Sequence, residues 1–128
     1  MMELSEWATQ YLKRNAKIKQ WEIISCNNSD AMVKTSRATI EYRYANDLDN
    51  NMILGEHEKV IITLNTKKNV MKAQDLFDSI NDKTRILFVH IESDSYWILN
   101  PQFIRNYADP NSFKKNPQLY VGETPYSK

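Results

Sequence analysis

Glycine and cysteine are nearly missing from this chain of 128 residues, which has two glycines and a single cysteine, Cys26. One thiol excludes an internal disulfide framework. Two glycines are too few for the phosphate loops of Walker A or Rossmann type, which need several so that backbone can come close to a phosphate. Long apolar runs are missing as well. Nothing nears the roughly 20 residues that a membrane-crossing helix needs, and the opening MMELSEWATQ lacks the charged and then apolar pattern of a secretory signal. The expectation is a cytoplasmic protein, or one made in the cytoplasm of a host cell, with no membrane partner. Net charge is also slight, with 17 Lys and Arg against 16 Asp and Glu. No global field draws a polyanion, so any nucleic-acid footprint has to be local.

What is present suits one domain spanning residues 1–128, because 41% hydrophobic content at this length fills a single core. Leu4, Trp7, Ala8, Tyr11 and Leu12 recur at helical spacing, with Lys13 and Arg14 where cations suit the helix dipole, and predict a helix over 4–14. Ile18 to Cys26 is rich in β-branched and aromatic residues and reads as a strand; Asn27 to Asp30 read as a turn. In 38–45, Ile40, Tyr42 and Tyr44 alternate with Thr39, Glu41 and Arg43, the period of a half-buried strand paired with AMVKT through a turn near Ser36. The segment NDLDNNMILGEHE reads as a polar surface excursion, and KVIITL after it as a central strand. Asn69 is the expected N-cap of a helix over 69–81, with Val70, Ala73, Leu76, Phe77 and Ile80 as its stripe. RILFVHI and SYWIL form a hairpin across Glu92 to Asp94, and Asn100-Pro101 opens a short helix. Gln118 to Val121 suit an edge strand and Thr124 to Lys128 a frayed end. The fold class that follows is α/β, with the strands near 18–26, 38–45, 59–65 and 85–91 in a single mixed β-sheet flanked by helices.

Chemistry concentrates in DAMVKTSRATIEYR, residues 30–43. Asp30 and Glu41 are carboxylates of the kind that hold a hard cation such as Mg²⁺ against a phosphodiester, and Arg43 shares a strand face with Glu41. The competing reading makes Thr39, Glu41 and Arg43 the solvated side of an ordinary hairpin, with Asp30 a turn residue chosen for backbone hydrogen bonding. Elsewhere, Glu56, His57 and Glu58 lie in a polar loop, without a matching His or Cys pair. His90 reads as a packed core histidine, Cys26 as a small buried hydrophobe, and Tyr96 and Trp97 as core rather than a stacking platform for bases. Basic residues cluster at Lys13, Arg14, Lys17 and Lys19, at Lys67, Lys68 and Lys72, and at Lys114 and Lys115. The second group, at a helix start where backbone N–H groups favour anions, is the candidate for nucleic-acid backbone contact.

With AMVKT and 38–45 counted as one hairpin element, the order helix, three strands, helix, two strands, helix, taken with the motif above, resembles the restriction-endonuclease-like fold of the PD-(D/E)XK nuclease superfamily, of the archaeal Holliday-junction resolvase or small restriction enzyme type. The resemblance covers roughly residues 4 to 105. It implies a restriction-endonuclease-like core and a metal-dependent DNA nuclease that hydrolyses a phosphodiester, or a nuclease-derived nucleic-acid-binding protein. It also implies Mg or Mn as cofactor, DNA as partner, and a homodimer as relatives often form. Glu6 or Glu3 would supply the first-helix glutamate, Asp30 the aspartate that begins the second strand, and Glu41 with Arg43 the Glu-x-Lys of the third. Arginine replaces the lysine here; it grips phosphate as a fork but does not accept a proton. A second register places the third strand at KVIITLNTKKN, directly before the helix, where Thr63 and Asn65 stand in place of the acid and the lysine. The alternative class is a non-catalytic protein-interaction or nucleic-acid-binding module of phage or mobile-element origin, suggested by a composition rich in Asn and Lys and poor in Gly.

Overall fold

The computed structural model describes residues 2–55 and 57–127. Helix α1 (Leu4–Lys19) buries Leu4, Trp7, Ala8, Tyr11 and Leu12, the stripe legible in the sequence. It ends at Gln20, whose φ of 59° is left-handed and whose N–H donates to the Ala16 carbonyl. The helix thus runs past 14 and takes Ile18, which the sequence assigned to a strand, out to solvent at 78% exposure. Lys17 and Lys19 in the last turn favour this extension electrostatically.

Six strands follow in one sheet whose spatial order is the chain order: β1 (Glu22–Cys26), β2 (Asp30–Lys34), β3 (Thr39–Tyr44), β4 (Lys59–Leu64), β5 (Thr84–His90) and β6 (Ser95–Leu99). β1, β2 and β3 are antiparallel neighbours, β3, β4 and β5 run parallel, and β6 returns antiparallel to β5. The sheet is therefore mixed, and helices flank both faces, as the sequence pattern predicts. α1 covers one face over Ala31, Val33, Tyr42, Val60, Ile62, Leu87 and Val89. The other face carries α3 (Lys67–Leu76), α4 (Pro101–Tyr107), α5 (Ser112–Lys115) and α6 (Gln118–Val121), packed over Ile61, Ile86, Phe88, Trp97 and Leu99. Buried apolar residues of this second layer come from β4, β5 and β6 and from none of β1–β3. On β2 and β3 that side is instead Asp30, Met32, Lys34, Thr39, Glu41 and Arg43, so no helix has an apolar surface to pack against there.

Four local expectations change. α3 starts at Lys67, capped by the Thr66 hydroxyl, which accepts from the Asn69 N–H. Asn69 is inside the helix and buried. The apolar stripe runs on beyond α3 only as a 3₁₀ turn, Phe77–Ser79. The polar excursion contains α2 (Asn50–Ile53) and drives Leu48 and Ile53 into the core. Gln118–Val121 is helical, because the N–H groups of Val121 and Gly122 reach back to Pro117 and Gln118. The tail is docked: the Asn65 amide donates to the Thr124 and Pro125 carbonyls and the Ser127 N–H to the Asn65 carbonyl. The rest of the frayed-end expectation, Lys128, lies outside the described residues. No described helix is long and apolar enough to cross a membrane.

Candidate functional site

The uncovered face of β2 and β3 owes its layout to ladder register. Asp30 pairs with Arg43 and Met32 with Glu41 across the hairpin, and on the other side of β3 Glu41 pairs with Lys59 and Arg43 with Ile61. Cross-strand partners share a face, so Asp30, Glu41, Arg43 and Lys59 form two alternating rungs of acid and base. β2 begins at Asp30, and the third strand is the one that carries Glu41 and Arg43.

Glu41 is the most engaged of these groups. His57 Nε2 donates to its Oε1 at 2.7 Å, and Arg43 Nε lies 3.3 Å from Oε2. Its side chain is 20% exposed. Partial burial works against the charge, yet the hydrogen bond from His57 and the field and hydrogen bond of Arg43 prevail and hold the carboxyl below its ordinary range. Lys59 is almost wholly buried, and its ammonium donates to the Leu54 carbonyl. Desolvation lowers its pKa; Glu41 opposes that shift and Arg43 adds to it. Asp30 is held locally: Asn27 Nδ2 donates to Oδ1 at 3.0 Å and Ser29 Oγ to Oδ2 at 3.3 Å, while the Asp30 N–H donates to Asn27 Oδ1.

Asp30 and Glu41 therefore share a face without sharing a partner. They sit on a ladder diagonal, where Cα atoms are typically about 7–8 Å apart, and Arg43 stands opposite one and bonded to the other. Among the described residues no group of three or more His, Cys, Asp or Glu side chains gathers as metal ligands. As arranged, the donor set does not make a ready divalent-metal centre, because a cation at Glu41 would have to displace both His57 and Arg43. Glu3 is the N-cap residue of α1 and Glu6 lies in its first turn, and α1 packs on the opposite face of the sheet. In the second register, Thr63 is buried and donates to the Ala45 carbonyl, and Asn65 is buried between Trp97 and the tail. Both side chains there are engaged in packing.

Lys59 and His57 are the members that sequence reading missed as partners of Glu41. A lysine opening an apolar run was visible, but which strand lies beside β3, and in what register, is not written locally. Glu56 is outside the described residues, and Glu58 acts on Tyr42, on the α1 face.

The lysine group is only partly available. Lys67 and Lys68 occupy the first turn of α3, but Lys67 Nζ lies 5.7 Å from the centre of the Tyr126 ring and Lys72 borders a shallow cleft with Asp47 and Asp49. Lys114 and Lys115 pair with Asp78 and Asp109, and Arg14 pairs with Asp94. His90 is half-buried at a strand end and bonded to Ser93 rather than packed in the core. Cys26 is exposed, 3.5 Å from the Tyr44 hydroxyl, because β1 is an edge strand that α1 covers incompletely. Trp97 is core and stacks on Phe88 with ring centres 4.3 Å apart, whereas Tyr96 is 40% exposed and packs edge-on to Trp7 and Tyr11.

No family model matches the chain, and neither does any curated protein or solved structure.

Proposed function

We propose that this chain is a nuclease-derived nucleic-acid-binding domain that takes backbone phosphates on the open face of β2 and β3. The observation that carries this reading is the register: the exposed Arg43 stands opposite Asp30 and beside Glu41 on the part of that sheet face that no helix covers, with the buried Lys59 a fixed cation next to them on β4. An arginine fork grips phosphate in bidentate fashion, and the first turn of α3 offers further cations along a strand's path. A metal-dependent endonuclease is the second reading, favoured because Asp30 opens β2 and Glu41 with Arg43 lies on β3, the positions that the resemblance to PD-(D/E)XK nucleases implies. Asp30 and Glu41 would then hold Mg²⁺ or Mn²⁺ only with both His57 and Arg43 displaced from Glu41, and the ion would supply Lewis-acid polarisation and an activated water.

Labelled duplex, branched and single-stranded DNA, titrated at several salt concentrations with the wild type and Arg43→Gln, tests the first reading. The variant should bind every sequence more weakly and lose about one unit of salt slope. Absence of DNA binding at low salt would sink it. Mn²⁺ titration into the wild type and Glu41→Gln separates the two readings: an ion site and metal-dependent cleavage, both lost in the variant, identify the endonuclease.

A further inference from the structure

On the α1 face of the sheet, at the end where β4 and β5 begin, lies a cleft of about 270 Å³ lined by Lys19, Trp21, Arg37, Tyr42 and Arg85. Its floor is one rung of the sheet, Tyr42 beside Val60 beside Arg85. Lys19 comes from the end of α1 and Arg37 from the turn between β2 and β3. Among the described residues none of these three cations is ion-paired. Tyr42 is 4% exposed, and its hydroxyl has no hydrogen-bond partner among the described residues. Burial pushes that hydroxyl up to about 12, so at neutral pH it is a donor. Glu58 is the acid whose field reaches Tyr42, opposed there by Arg85.

We infer that this cleft binds a nucleotide 5′-monophosphate, its phosphate held by Arg37, Arg85 and the Tyr42 hydroxyl and its base against Trp21. Three cations suit a group carrying about −1.5 to −2 charges, and arginine forks match phosphate geometry. Trp21 is half-buried, with Lys19 over its ring at 5.1 Å and the Tyr42 ring tilted against it at 6.5 Å, and the exposed remainder of the indole is in the cleft lining, where a base can pack. The volume lies just below the roughly 300–1,000 Å³ of drug-sized ligand pockets, room for one nucleotide unit and not for a run of them. The site is independent of the Glu41 face, being across the sheet from it. Two sources present this chemistry: a free mononucleotide and the phosphorylated end of a strand.

The test uses calorimetry together with tryptophan fluorescence, which reports this cleft because Trp7 and Trp97 are buried and Trp21 is not. The probes are AMP, adenosine, and a trinucleotide with and without its 5′-phosphate. AMP should bind and quench, with adenosine at least about tenfold weaker. A phosphorylated trinucleotide that binds more tightly than AMP assigns the site to strand ends; one that binds no better assigns it to the free nucleotide. Lys19 and Arg37 are exposed, so Lys19→Ala and Arg37→Ala should fold normally and Arg37→Ala should weaken AMP about tenfold. Equal binding of AMP and adenosine, wild-type affinity in both cation variants, or no binding of any phosphorylated probe would each overturn the inference.

Discussion

Replacing Asn69 with alanine should destabilise the protein far more than removing the cap of α3. The Asn69 side chain is 1% exposed and fully engaged. Its Oδ1 accepts the Leu48 N–H at 2.9 Å, and its Nδ2 donates to the carbonyls of Asn46 at 2.8 Å and Leu64 at 2.9 Å and lies 3.1 Å from Thr63 Oγ1. It thereby ties the β3–β4 connection to α3. In Asn69→Ala the exposed Asn46 carbonyl regains water and the Leu64 carbonyl keeps the Thr66 N–H at 2.9 Å, but the buried Leu48 N–H is left without its partner. An unpaired buried polar group costs about 1–3 kcal/mol and each further lost hydrogen bond about 1 kcal/mol, so the loss should be about 3 kcal/mol, a large share of the roughly 5–15 kcal/mol of a typical domain. The corresponding fall in Tm is about 10 °C. Thr66→Ala removes a single capping bond at 3.1 Å and should cost about 1 kcal/mol. Urea unfolding of the two variants gives both numbers, and hydrogen exchange at Leu48 should accelerate in Asn69→Ala alone. If Asn69 acted as the helix cap, its loss would cost about 1 kcal/mol and Thr66→Ala would be neutral; that ordering would refute the assignment.

Converting Lys67, Lys68 and Lys72 together to alanine should weaken DNA binding uniformly across sequences and flatten its salt slope by up to about three units, less in proportion as the Tyr126 ring engages Lys67 and as Asp47 and Asp49 line the same cleft as Lys72. Anisotropy at four salt concentrations reads this, and an unchanged slope removes the patch from the interface. Glu41 has a folded-state pKa below its unfolded one, so its charge interactions stabilise the fold above the ordinary carboxylate range and fade as pH falls through the folded value. Denaturant unfolding should therefore show the wild type above Glu41→Gln at pH 7 and the two converging as pH falls through the folded value; a gap that widens on acidification contradicts the pairing with His57 and Arg43.

Local pattern alone set the strands that alternate, such as Ile40, Tyr42 and Tyr44 against Thr39, Glu41 and Arg43, and those buried on both sides, such as Ile86 to Val89, because a period of two and an unbroken apolar run each demand a particular environment. Asn100-Pro101 also marked its helix start without help, since cap and proline act within one turn. Where an element ends was less visible: Lys13 and Arg14 suit a helix end as well as Lys17 and Lys19 do, and the left-handed Gln20 decides between them. Asn69 looked like a cap because asparagine favours that position, but a capping threonine stands just before the helix and the buried amide found four partners across the fold. The candidate site was half legible. Asp30, Glu41 and Arg43 could be read from one hairpin, whose pairing is local. Lys59 and His57 come to Glu41 only because β4 runs parallel to β3 in one register, and the cleft of Lys19, Arg37 and Arg85 exists only because a helix end, a turn and a distant strand meet. Residues separated by that much chain are brought together by burial of the two apolar layers on the sheet, a property of the whole structure that no window of sequence contains.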